Sequence, residues 1–300
     1  MIIEGIFIEG LIYGIMVWAV FISFRVLRFA DLTIEGSFPL GAAVMAVLLT
    51  RGFNPLIGIL LAFLAGLAAG FVTALIHNRL KIPDILSGIL TMTMLWSVNL
   101  RIMSNRANVS LLGIPSLFSD LSQWQVVLIC ILIVLVIKVA LDLFFRTDFG
   151  LSLGALGSNP QLVVSQGMNP DTLKMCGICL SNGLIAVSGA LASMYQGFAD
   201  VNFGSGMIVA GLASLMIGEF IIRSNKISVL TLRAILGSIL YRALMYAARI
   251  YGFYLYLTAN DLRFLTGALI IVCIIVAKSG FRSKVKSKPA PKPSQKGGSS

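Results

Sequence analysis

Long apolar stretches follow one another along the chain, separated by short polar segments or by segments containing glycine and proline. About 20 consecutive apolar residues suffice to cross the hydrocarbon core of a bilayer as one α-helix. The pattern therefore predicts an all-α polytopic membrane protein with about nine spanning helices, eight at the least and ten at the most. They lie near residues 5–24, 37–49, 55–81, 83–103, 124–145, 172–195, 206–222, 228–248 and 262–277.

The composition excludes the main water-soluble classes of protein. Hydrophobic residues make up 58% of the 300 residues and charged residues only 12%, about half the share of roughly 25% found in soluble domains. A water-soluble fold has too little interior to hide so much apolar surface. A soluble enzyme, a nucleic-acid-binding protein and a disordered protein are therefore excluded.

The basic residues predict how the chain is oriented in the membrane. Lys and Arg number 23 against 12 Asp and Glu, and many of them lie in a tail rich in lysine, proline, serine and glycine. We expect a membrane domain over residues 1–278 and a disordered cytoplasmic tail over residues 279–300, of which residues 297–300 are typical of an appended cloning segment. With the tail inside, the basic loops near residues 25–28, 77–81, 146–174 and 223–226 also lie inside. The N-terminus then lies outside and the C-terminus in the cytoplasm.

A short sequence pattern occurs twice. Phe29-Ala-Asp31-Leu-Thr33 opens the second predicted helix, and Phe198-Ala-Asp200-Val-Asn202 opens the seventh. Gly-Ser and a short helix rich in small residues follow each copy. Because the predicted topology places the copies on opposite sides, the pattern indicates an inverted repeat, in which short spans mark the central pathway.

The loop over residues 146–171 contains a very short predicted helix, residues 159–166. Asn159 is a good N-cap, Pro160 a good first helical residue and Gly167 a good stop. So short a helix is not stable alone in water, so it must pack against something. Its apolar surface, formed by Leu162, Val163, Val164 and Met168, favours a partner protein, whereas packing on the bilayer or on the chain's own helices is the alternative.

Polar residues inside an apolar chain are candidates for a transport pathway, since charged and polar groups are costly there. Asp31 and Glu35 lie at the mouth of the short second helix. Thr91 and Asn99 are about two turns apart on one face of the fourth helix. The alternative roles are helix capping, internal ion pairs and hydrogen bonds between helices. The candidate pathway residues are Asp31, Thr33, Glu35, Ser37, Thr91, Thr93, Trp96, Asn99, Asn202 and Ser205.

The chain lacks the motifs of several catalytic classes. It contains no phosphate-binding loop sequence, and its single histidine, His77, cannot support a histidine-based metal cluster. Cys176 and Cys179 have the C-x-x-C spacing without a second pair, so they are expected to be buried thiols. We therefore predict no catalytic residue, no metal and no cofactor in this chain.

Several segments resemble the membrane-spanning permease subunits of bacterial ABC importers of the branched-chain amino acid/ribose type, and among these most nearly the permeases for tryptophan, tyrosine or related aromatic solutes. The resemblance is carried by GLIYG at 10–14, FRVLRFADLTIEGSFPLGAA at 24–43, LKIPDILSGILTMT at 80–93, NLRIM at 99–103, GALGSNP at 154–160 and SGAL at 188–191. It extends to about Lys278 and implies a multi-pass protein of the bacterial inner membrane.

The resemblance also implies the partners. They are a second permease copy, two cytoplasmic ATPase subunits that hold ATP and Mg²⁺, and an extracytoplasmic solute-binding protein; no nucleic acid is expected. In this family a short loop helix couples the ATPases to the spans. Here that role maps onto Ala155, Gly157, Ser158, Asn159, Pro160, Gln161, Val164 and Gln166, although the acidic residue of the better-known loop form is missing.

An ion-coupled secondary transporter is the alternative function. It would use Asp31, Glu35 and Glu219, and it too is compatible with an inverted repeat. The acidic residues lie near the ends of the predicted helices, and the loop helix would have no role, so the importer subunit is the favoured interpretation. No catalytic constellation supports a membrane enzyme.

Overall fold

The computed structural model describes residues 2–119, 121–222 and 227–254, together with 267, 268 and 271. The described part of the chain is mostly helical, with a π-helical turn and a two-stranded ribbon. The elements in order are α1 (Ile2–Val20), the π turn (Phe21–Val26), α2 (Ile34–Thr50), α3 (Pro55–Leu80), α4 (Asp84–Ile102), β1 (Asn108–Ser110), α5 (Gln123–Phe144), α6 (Asp148–Ser158), α7 (Pro160–Ser165), α8 (Pro170–Gln196), β2 (Phe198–Asp200), a 3₁₀ turn (Val201–Gly204), α9 (Met207–Ile221) and α10 (Ile227–Tyr254).

The prediction of a helical, polytopic membrane protein is confirmed. Seven helical segments of the described residues are long and apolar enough to cross a membrane, and α2, with 17 residues, is a shorter apolar helix. These eight segments correspond to the first eight predicted spans. The ninth, residues 262–277, falls almost wholly outside the described residues, as do the loop 223–226 and the tail 279–300.

Two features of the fold are absent from the sequence prediction. Residues 148–158, expected to be loop, form the helix α6. β1 and β2 pair antiparallel, with Val109 opposite Ala199, and therefore join the loop after α4 to the end of α8. We call this end of the bundle the strand end.

α8 lies in the middle of the bundle and packs against α1, α2 and α3. It begins at the opposite end, which we call the loop end, because α6 and α7 precede it there. At the loop end the Asn78 side chain of α3 donates a hydrogen bond to the Asp171 carbonyl (2.8 Å). α4 and α5 lie on the outside, where large apolar side chains such as Leu90, Leu132 and Leu135 are exposed, as expected of helices that face lipid.

The sequence contains two small-x-x-x-small pairs, Gly10/Gly14 and Gly66/Gly70, a spacing that lets helices approach each other closely. A Cβ on Gly66 of α3 would overlap with the Asn182 carbonyl oxygen and lie 2.7 Å from the Ala186 Cβ of α8. A Cβ on Gly10 of α1 would lie 2.8 Å from the Ile239 Cα of α10. Both contacts form within one chain, so these two spacings serve internal packing.

The Gly66 contact leads to a prediction. Gly66→Ala should lower the stability of the protein by about 1–3 kcal/mol, because an added methyl in a closely packed interior forces the helices apart. The measurement is the thermal unfolding midpoint of the purified protein in detergent. Gly154→Ala is the matched control, since that Cβ would meet nothing within 4 Å and alanine favours a helix by about 1 kcal/mol. Equal midpoints for the two variants would contradict the prediction.

Candidate functional site

The short helices α2 and α9 begin next to each other. Glu35 Oε1 in the first turn of α2 accepts a hydrogen bond from the backbone N–H of Gly206 (3.0 Å), directly before α9. A Cβ on Gly204 would overlap with the Glu35 carbonyl oxygen, so the 3₁₀ turn touches the backbone of α2.

From this common starting point the two helices run to opposite ends of the bundle. The far half of α2 reaches the start of α3, where Met45 packs against Gly58. The far end of α9 reaches the loop end, where Glu219 forms an ion pair with Arg25 of the π turn. One carboxylate, Glu35, therefore belongs to the first turn of α2 and also caps α9.

The two copies of the repeated sequence form the same local turn. Asp31 Oδ1 accepts a hydrogen bond from the Thr33 N–H (2.9 Å). Asp200 Oδ1 accepts one from the Asn202 N–H (2.7 Å). In both places the aspartate side chain bonds to the backbone two residues on, which is how such residues fix turns.

Asp31 belongs to a buried polar network. Its Oδ2 accepts a hydrogen bond from Asn182 Nδ2 (2.7 Å), and Asn182 Oδ1 accepts one from the Ser37 hydroxyl (2.7 Å). Thr33 and Thr73 share a further hydrogen bond of 2.8 Å between their hydroxyls. All five side chains are fully buried, so the network connects α2, α3 and α8. Asn182 is not among the residues predicted from the sequence, where its only signal is an amide in the middle of an apolar stretch.

A cavity of about 180 Å³ opens beside the start of α2. Of the predicted candidate pathway residues, six line it: Glu35, Thr93, Trp96, Asn99, Asn202 and Ser205. Gly36, Pro39, Met92 and Val201 complete the described lining. The cavity therefore lies between α2, α4 and the 3₁₀ turn, the segments that contain or adjoin the candidate pathway residues predicted from the sequence.

The other four candidates do not line this cavity. Asp31, Thr33 and Ser37 are in the buried network. Thr91 donates a hydrogen bond to the Ser87 carbonyl of its own helix (3.0 Å). Thr91 and Asn99 are both buried, which confirms that they share a face of α4, but only Asn99 reaches the cavity.

Asn99 presents an unpartnered acceptor. Its side chain is fully buried, and Nδ2 donates to the Gly36 carbonyl (3.2 Å). Because a carbonyl only accepts, the nitrogen must face Gly36 and the oxygen is the free atom. Asn99 Oδ1 has no hydrogen-bond partner among the described residues. A buried polar atom without a partner costs about 1–3 kcal/mol, so this one calls for an explanation.

Several other charged residues of the described helices form ion pairs away from the cavity. Glu219 bonds to Arg233 (3.1 Å) as well as to Arg25. Arg242 forms an ion pair with Glu9 (3.4 Å) and lies over the Tyr13 ring. None of these five residues is in the cavity lining, so they stabilise packing at either end of the bundle.

The predicted short helix in the loop is confirmed as α7. Asn159 Oδ1 accepts from the Gln161 N–H (3.1 Å), and Gly167 follows with a φ of +77°. Val163 is buried, whereas Leu162 and Val164 are 46% and 59% exposed. The helix therefore anchors itself through one apolar side chain and presents two others outward.

The other predicted coupling residues divide between two helices. Ala155, Gly157 and Ser158 lie on α6, and Pro160, Gln161 and Val164 on α7, with Gln166 just after it. Thr147 caps α6 by accepting from the Gly150 N–H (3.2 Å). A Cβ on Gly157 would overlap with the Val26 carbonyl oxygen, so α6 rests directly on the π turn at the end of α1.

Comparison with known proteins gives the class of protein. Residues 2–274 match the family described as branched-chain amino acid transport system / permease component. The chain belongs to this family and is the membrane-spanning permease subunit of an ABC importer for a small solute. It is a multi-pass protein of the bacterial inner membrane.

Individual relatives are consistent with this assignment. A tyrosine transport system permease protein of Clostridioides difficile is 36% identical over 98% of both chains. The autoinducer 2 import system permease protein LsrC of Yersinia enterocolitica is 26% identical over 64% of this chain and 53% of its own length. The solved structure of PsaBC from Streptococcus pneumoniae in complex with Fab shares the fold, with a TM-score of 0.56, 14% identity and 94% coverage of both chains.

Proposed function

We propose that this permease imports an amino acid, with an aromatic one favoured, and that the cavity beside α2 is part of its pathway. The cavity carries the proposal, because it gathers six of the predicted pathway residues between α2, α4 and the 3₁₀ turn. The name of the Clostridioides difficile relative supports an aromatic amino acid. Trp96, about half exposed in the lining, offers a ring against which an aromatic or apolar solute packs.

We also propose that α2 and α9 are corresponding parts of an inverted repeat. Support comes from the repeated sequence, from the matching aspartate turns and from the opposite directions in which the two helices run. In this arrangement the span count is about nine, the N-terminus lies outside and the loop end faces the cytoplasm. Interrupted spans that meet at the centre are typical of solute pathways.

We infer that α7 is the coupling helix and that α6 transmits its movement. The exposed Leu162 and Val164 form an apolar tip suited to a groove on a partner ATPase. Two ATPase subunits, which hold ATP and Mg²⁺, would act on two permease copies in a homodimer, and a solute-binding protein would deliver the amino acid from outside. This chain itself carries out no catalysis.

Reconstitution tests the proposal. The chain is co-expressed with its candidate ATPase and binding protein, purified and placed in liposomes. We expect the ATPase to co-purify and L-tyrosine, L-tryptophan or L-leucine to be taken up only with ATP and binding protein. Uptake that does not require ATP and is abolished by an ionophore would overturn the proposal in favour of an ion-coupled secondary transporter.

A further inference from the structure

Groups of opposite charge meet at the edge of the cavity. The N-terminus of α9, next to the cavity, carries roughly half a positive charge, and the Glu35 carboxylate now accepts the hydrogen bond of the Gly206 N–H directly before α9. Glu35 is the only charged residue among the described residues of the lining. The positive helix end therefore offsets about half of the carboxylate's charge, and the region keeps a partial negative charge that attracts an ammonium group.

Asn99 adds the observation that points to a ligand. Its unpartnered Oδ1 is a fully buried acceptor in the wall of the same cavity. Such an atom lacks a donor, and an ammonium group supplies three. The Trp96 ring in the same wall also favours a cation.

We propose that this cavity recognises the zwitterionic head group of an α-amino acid. The solute ammonium binds Asn99 Oδ1 and the Glu35 carboxylate, and the solute carboxylate takes over the Gly206 N–H at the start of α9 that Glu35 now occupies. Glu35 thus holds the position that the solute carboxylate takes. This inference rests on the proposed function and adds to it which part of the solute the cavity recognises.

The charge balance explains why both ends of the solute are needed. A simple amine would draw Glu35 away and leave the start of α9 without an acceptor. A simple carboxylate would compete with Glu35 at the helix end and leave Asn99 without a donor. Only a solute with both groups satisfies the helix end, the carboxylate and the amide together.

The test uses the reconstituted complex with one binding protein throughout. The wild-type uptake KM for L-tyrosine and L-leucine is compared with that of Asn99→Ala and Glu35→Gln. Asn78→Ala is the matched control, because Asn78 also donates from Nδ2 to a backbone carbonyl and also has an unpartnered Oδ1 among the described residues, but lies at the loop end outside this cavity. We expect KM to rise about tenfold or more in the first two variants and to stay unchanged in Asn78→Ala.

A binding measurement separates the two ends of the solute. The permease–ATPase complex, without binding protein, is equilibrated with radiolabelled L-tyrosine and with tyramine or 3-(4-hydroxyphenyl)propionate as competitor. We expect both competitors to be at least about tenfold weaker than unlabelled L-tyrosine.

The outcomes distinguish this inference from the proposed function. If wild-type complexes take up neither L-tyrosine nor L-leucine, the proposed amino acid function fails. If they take up either but Asn99→Ala and Glu35→Gln behave like Asn78→Ala, the function stands and the head-group site is overturned. A competitor as strong as L-tyrosine would also overturn it.

Discussion

Replacement of Asn182 by leucine is expected to lower the stability of the protein by about 3–5 kcal/mol. Leucine cannot donate to Asp31 Oδ2 or accept from the Ser37 hydroxyl, so a fully buried carboxylate and a buried hydroxyl lose their partners. Each buried polar group left without a partner costs about 1–3 kcal/mol, and the substitution leaves two of them. Thermal unfolding of the purified protein, read together with its yield in the membrane, measures the loss.

Ser181→Ala provides the matched control for Asn182→Leu. Ser181 is the neighbouring residue on α8, is fully buried and donates one hydrogen bond to the Ala19 carbonyl (2.9 Å). Its loss removes a neutral hydrogen bond and should cost only about 1 kcal/mol. An Asn182→Leu protein as stable as Ser181→Ala would show that the network does not hold α2, α3 and α8 together.

Replacement of Gly157 by valine is expected to uncouple ATP hydrolysis from uptake. The new side chain would collide with the Val26 carbonyl at the π turn, and α6 would have to move away from the end of α1. Overpacking of this kind costs about 1–3 kcal/mol locally, too little to unfold the bundle. In liposomes containing the complex, we expect ATP hydrolysis to continue while the number of solute molecules imported per ATP falls.

Two further variants test whether the uncoupling is specific to the contact that Gly157 makes. Gly154→Val lies on the same helix, where an added Cβ meets nothing within 4 Å, and should leave coupling unchanged. Asn159→Ala removes the cap of α7, worth about 1 kcal/mol, and should weaken coupling less than Gly157→Val. Normal coupling in both Gly157→Val and Asn159→Ala would rule out a coupling role for the loop.

The sequence predicts the elements of this fold better than their contacts. Hydropathy alone predicts the membrane-spanning helices, because a bilayer requires long apolar helices. The start of α7 is predictable for a local reason, since Asn159-Pro160 is a strong helix-start signal. Residues 148–158 were missed because glycines and serines weaken the helical signal that Thr147-Asp148 provides.

The sequence identifies the candidate site residues by their type. Only the fold shows which of them line the cavity and which are buried in the interior. Polar residues are rare in this chain, so those near the repeated sequence were good candidates. Whether a given one faces the cavity or the interior depends on which helix packs beside it. Asp31 and Glu35 are four residues apart, yet α8 covers the first and the start of α9 meets the second. Asn182 could not be paired with Asp31 from sequence, because 151 positions separate them.

The shortness of α2 has a consequence for biogenesis. Its 17 residues extend about 26 Å at 1.5 Å per residue, less than the roughly 30 Å of the hydrocarbon core, and they include Glu35. A segment this short that also contains a carboxylate inserts poorly into the membrane by itself. α3 follows after only the residues 51–54 and is 26 residues long, so α2 must enter the membrane with it as a helical hairpin. A nascent chain that ends before α3 would therefore leave α2 at the membrane surface.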